Sequence, residues 1–135
     1  GYLFNQFKSQ AFWKPTLYIG VLWGFWHAPL ILMGHNYPQH PVAGVLMMML
    51  FCLMLSPISN YIRIKAKSSI AVAVFHGTFN ALAGISTMMV MNTNDLLRGL
   101  PGLSGIIALL LLNVLLFLYD NYISKDKIFT SKIEF

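Results

Sequence analysis

Carboxylates are nearly missing from this chain: it has four Asp and Glu residues in 135, and none before Asp95. The first 94 residues therefore hold no acidic side chain that could act as an acid or a base. Cysteine is scarcer still. Cys52 stands alone inside an apolar block, which excludes a disulfide framework and a thiolate zinc site. Charged residues of both signs make up 10% of the chain, against roughly a quarter in an ordinary soluble domain. The alternating ten-residue strands of a membrane β-barrel are absent, and so is the HExxH helix that marks a strong zinc site.

What the chain does have is apolar length. Hydrophobic residues make up 57% of it, gathered into four blocks at 16–33, 42–62, 69–91 and 102–119. Each is close to the ~20 residues that cross a bilayer at about 1.5 Å per residue. In lipid the backbone must satisfy its own hydrogen bonds, so each block is expected to be a helix. The connections "GHNYPQHP", "RIKAKS" and "NTNDLLRGLP" are short and polar, which makes consecutive helices antiparallel neighbours. The expected fold is an all-α, multi-pass transmembrane bundle with four spanning helices. It occupies 1–124 and is followed by a basic tail at 125–135, read as a surface segment near anionic lipid.

Basic residues orient the bundle. Lys8 and Lys14 precede the first block, and the loop after it has no Lys or Arg. Arg63, Lys65 and Lys67 follow the second block, and Lys125, Lys127 and Lys132 follow the fourth. Positive charge thus recurs at alternate ends, which places both termini and the 63–68 loop in the cytoplasm of a cell-membrane protein. The net charge of +5 follows from this topology and lends no support to nucleic-acid binding. The lipid bilayer is the expected partner.

Against this background "VLWGFWHAPLIL" stands out, because His27 and Pro29 interrupt an otherwise greasy run. Pro29 removes a backbone donor and crowds the carbonyl of Phe25, so the helix should bend beside His27. His27 lies thirteen residues beyond Lys14, or roughly 20 Å along a helix. In the third block "AVAVFHGTFNAL" places Asn80 thirteen residues beyond Lys67, and His76 about one turn nearer the basic end. His76 and Asn80 are spaced i,i+4 and share a helix face, beside the small-residue row Ala73, Gly77 and Ala81. A single polar group in a membrane helix can simply bond a neighbouring helix, at about 0.6–2 kcal/mol. Three at nearly one depth, two of them ionisable, mark a functional site. His35 and His40 fall in the outer loop and are expected to be solvated. Met47, Met48, Met49 and Met54 read as lipid-facing or core filler.

The order "WGFWHAPLIL" then "SSIAVAVFHGTFNAL" resembles two motifs of the CPBP family. These are intramembrane proteases related to the type II CAAX prenyl endopeptidases, also called the Abi or bacteriocin-immunity-associated family. Trp23 and His27 match its second motif, with Trp in place of the usual Phe; His76 and Asn80 match its third. The family's first motif, a Glu pair followed three residues later by Arg, has no counterpart here. The opening Gly1, Tyr2 and Leu3 resemble the residues just after that Arg, so the chain reads as a fragment that starts downstream of the glutamates. Asp95 is expected on the far side, and Asp120, Asp126 and Glu134 at or beyond the basic end, all away from His27.

The resemblance implies an endopeptidase acting on a peptide or protein substrate, with a lipid-modified one left open. In it an upstream Glu activates water, His27 and Asn80 donate to the oxyanion, and His76 orients the Glu or water, or shares the donor role. Trp23 supports the site. Such chemistry needs a base within hydrogen-bond reach and donors aimed at the developing charge. No cofactor is implied; zinc would require a third protein ligand beyond the two histidines. Two other readings stay open: a haem held between His27 and His76 in an electron-transfer bundle, and a catalytically inactive immunity or scaffold protein.

Overall fold

A computed structural model describes residues 2, 6–7, 10–90 and 93–132. The expectations that fall on Gly1, Leu3, Lys8, Met91 and Glu134 lie outside the described residues. Among the described residues there is no β-strand. The helices are α1 (Trp13–Trp26), α2 (Ala28–Leu32), α3 (Pro41–Ala66), α4 (Ser69–Met89) and α5 (Leu103–Tyr122). Four stretches are long and apolar enough to cross a membrane: Trp13–Leu32, Pro41–Ala66, Ser69–Ser86 and Leu103–Tyr122. They coincide with the four apolar blocks of the sequence. The protein is an all-helical, multi-pass membrane bundle.

The break at His27 has the cause read from Pro29. α1 stops at Trp26 and α2 resumes at Ala28, with His27 as the cap of both. The His27 amide turns back to Gly24 O at 3.2 Å, a tighter bond than the α-helical one. Proline supplies no N–H for the Phe25 carbonyl, so the regular ladder cannot run through this point. α3 opens on Pro41, where a missing N–H costs nothing, and ends at Lys67 in the left-handed region with φ 49°. α4 starts at once, capped by Ser68 Oγ accepting from Ala71 N at 3.4 Å.

α3 is the hub. The other helices pack against it, while the backbones of α1, α4 and α5 stay apart from one another. The α1–α3 contact is the closest, because Gly24 faces Met49: a Cβ at Gly24 would lie 2.6 Å from Met49 Cα. Polar bonds pin the same interface. Ser56 Oγ donates to Thr16 O at 2.7 Å, and Asn60 Nδ2 to Thr16 Oγ1 at 3.2 Å. On the other side of α3, Asn113 Nδ2 donates to Met54 O at 2.7 Å and joins α5. Replacing Gly24 by Ala should force the helices apart and destabilise the protein by about 1–3 kcal/mol. Unfolding of the detergent-solubilised protein by a denaturing surfactant measures this. An unchanged midpoint would show that the contact is slack.

A second core closes the basic end. Phe12, Tyr61, Ile128 and Phe129 are buried together there. Asp120, wholly buried, accepts from Tyr61 Oη at 3.2 Å and from Phe129 N at 2.9 Å. Lys65 and Asp126 pair across the rim. The expected surface tail is therefore surface only in part: Lys125, Asp126 and Lys127 are exposed, while Ile128 and Phe129 pack under α1 and α3. Two apolar residues in a basic segment gain more from an aromatic pocket than from the headgroup layer.

Candidate active site

α1 and α4 both lean on α3 with their backbones apart, and a cavity of 480 Å³ opens between them. Trp23, His27, His76 and Asn80 all line it. Its α3 wall is Met48, Phe51, Cys52 and Leu55, and its far rim carries His35, Asn36 and Pro101. The three residues picked out by depth and the Trp23 that the family resemblance adds thus meet in one space. Trp23, His27 and His76 are half-buried, and Asn80 is exposed to the opening.

Hydrogen bonds orient the rings. His27 Nδ1 lies 2.7 Å from Trp23 O. A carbonyl only accepts, so Nδ1 carries the proton and Nε2 of the neutral ring is left as an acceptor. Asn80 Nδ2 lies 2.8 Å from His76 Nε2. As oriented, the amide donates and Nε2 accepts, which puts the proton of a neutral His76 on Nδ1. Among the described residues nothing else takes the second N–H of the Asn80 amide. Trp23 serves both rings: its carbonyl holds His27, and its indole packs on His76 with ring centroids 5.1 Å apart. Trp26 meets His27 edge-on at 5.0 Å from the other flank.

Trp23 and His76 also border a second cavity of 630 Å³ toward the basic end. Ser59, Asn60 and Arg63 line it on α3, and Ala73 and Gly77 line it on α4. No Asp or Glu among the described residues lines either cavity. Asp95 is taken by His40 and Gln39, Asp120 by Tyr61 and Phe129, and Asp126 by Lys65. Among the described residues no three His, Cys, Asp or Glu side chains are grouped to hold a metal ion.

Two residues set aside in the sequence enter the picture. His35 is exposed but stands on the cavity rim, and His40 bonds Asp95 at 2.7 Å. Spacing along one helix could not reveal either, since both depend on loops that meet only in three dimensions.

The model of the family described as "Type II CAAX prenyl endopeptidase Rce1-like" matches residues 1–82. That stretch contains Trp23, His27, His76 and Asn80, and so spans both walls of the cavity. No curated protein and no solved structure matches the chain. A match over more than half of the sequence, enclosing every polar group of the pocket, carries one conclusion: the chain belongs to the Rce1-like family of type II CAAX prenyl endopeptidases, which are membrane proteases.

Proposed function

We propose that this protein is an intramembrane endopeptidase in which a glutamate-activated water attacks the scissile carbonyl. The glutamate is that of the family's first motif, which has no counterpart in these 135 residues. It removes a proton from water as oxygen adds to the carbonyl carbon. It then returns that proton to the leaving amine as the C–N bond breaks. The observation that carries this reading is the convergence of His27, His76 and Asn80 on one cavity, with His76 and Asn80 hydrogen-bonded.

The bonds suggest a division of labour that exchanges the two histidines of the sequence expectation. His27, held at Nδ1 by Trp23 O, presents an acceptor at Nε2 and orients the attacking water. Asn80, with a spare N–H, and His76, protonated on Nδ1, are the donors to the oxyanion. The 630 Å³ cavity beside His76 gives the glutamate-bearing segment room to approach. The substrate is a peptide or protein, and both termini of the chain face the cytoplasm of the cell membrane. No step in this scheme requires a cofactor.

The scheme has a sharp consequence for the 135-residue chain by itself. With no Asp or Glu among the described residues on the cavity, it should fold yet not cleave a reporter peptide that the full-length protein cleaves. Cleavage by the isolated chain at a rate comparable to the full-length protein would overturn the glutamate reading.

A further inference from the structure

We propose that Asp95 is a positioning residue for the site: it clasps the 33–40 loop to the 93–102 loop and so sets the far rim of the cavity. Its side chain is 0% exposed, although it lies in a loop beyond the spanning helices. Both oxygens are engaged. Oδ1 is 2.7 Å from His40 Nδ1, and Oδ2 accepts from Gln39 N at 2.6 Å. The Asp95 amide donates in return to Gln39 Oε1 at 3.3 Å. Burial is the largest single influence on the carboxyl and pushes its pKa up. The bonds from His40 and Gln39 outweigh it, and the group is held below the ordinary value.

A second tie runs beside the first. Tyr37, wholly buried, donates from Oη to Pro101 O at 2.6 Å. Burial first, then the neighbouring Cys52 and Asp95, raises its phenol above the usual range, so the hydroxyl stays protonated and keeps donating. These bonds join segments 55 to 64 residues apart in sequence. Charge-assisted bonds to two carboxylate oxygens are directional, whereas an apolar contact would let the loops slide.

The clasp reaches the cavity from both sides. His35 and Asn36, on the rim, precede Tyr37 directly, in a turn held by Gly34 at φ 94° and Asn36 at φ 64°. Pro101 accepts from Tyr37 and lines the cavity itself. Its neighbour Leu100 donates to Ser86 Oγ at 3.2 Å, which ties the loop to α4, the helix of His76 and Asn80. There is no slack at the start of α5, where a Cβ on Gly105 would collide with the Leu100 carbonyl. Loosening Asp95 should therefore widen the rim and weaken the hold on a peptide, without altering the groups that act on its carbonyl. The catalytic half of this proposal rests on the endopeptidase reading; the structural half does not.

Cys52 provides a readout independent of activity, because it lines the cavity while being 1% exposed. In the full-length protein, Asp95→Asn, His40→Gln and Tyr37→Phe should each let iodoacetamide alkylate Cys52 about threefold or more faster than in the parent. For Asp95→Asn, KM should rise roughly tenfold with kcat within about twofold. Unchanged Cys52 alkylation in folded variants overturns the proposal, and so does a fall in kcat without a change in alkylation. Should Asp95→Asn fail to fold, Tyr37→Phe and His40→Gln decide, since each removes one bond. If the parent cleaves no peptide, the endopeptidase reading fails while the alkylation rates still judge the clasp.

Discussion

Asn80→Ala in the full-length protein should lower kcat for peptide cleavage by about 10²–10³ with little change in KM. The amide has two duties in the proposed site. One N–H fixes His76 by donating to Nε2 at 2.8 Å, and the other is available for the oxyanion. Alanine removes both together. Asn80→Asp should fall as far, because a carboxylate cannot donate to Nε2 and would repel the negative charge formed in the transition state. The fold should survive either change, since Asn80 faces an opening and takes no part in the buried cores. Steady-state kinetics on variants with parental circular dichroism separate the catalytic effect from a folding one. Variants that keep kcat within about twofold of the parent would remove Asn80 from the chemistry.

Phe129→Ala should cost about 3–4 kcal/mol of stability. Its ring is 3% exposed and sits in an aromatic cluster, with centroids 4.8 Å from Phe12, 5.2 Å from Trp13 and 5.4 Å from Tyr61. Pairs of this kind add about 0.5–1.5 kcal/mol each to the area they bury. The backbone amide of Phe129 also feeds the buried Asp120, which in turn accepts from Tyr61. Losing the ring should free the tail, expose the carboxylate to water and open the basic end of the bundle. Limited proteolysis should then cut after Lys125 or Lys127 well before it attacks the helices. A tail as resistant as the parent's, with an unchanged unfolding midpoint, would contradict this packing.

The spans and the pocket were both legible in the sequence, for the same reason. A membrane helix rises by a constant step and must be apolar along its length, so blocks give spans and counting from Lys14 and Lys67 gives depth. That arithmetic brings His27 and Asn80 to one level with His76 about a turn away, and the structure has all three on one cavity. The step at His27 was equally local, since Pro29 dictates it through a missing donor. What could not be read depends on contacts between segments far apart. Ile128 and Phe129 look like part of a basic tail until Phe12 and Tyr61 provide a pocket. His40 looks like a solvated loop residue and Asp95 like a far-side one until the 54 residues between them fold to bring them together. The gap between α1 and α4 has no sequence signature, because it follows from both helices leaning on α3.

One binding measurement goes furthest toward the shared pocket. A peptidyl phosphonate, whose tetrahedral oxyanion imitates the point of water attack, should bind the full-length protein at least ~10²-fold more tightly than the matching peptide. Asn80→Ala and His76→Ala should erase most of that advantage while leaving the Kd of the peptide nearly unchanged. A phosphonate that binds no better than the peptide, or whose Kd ignores both substitutions, would show that these side chains do not stabilise a transition state.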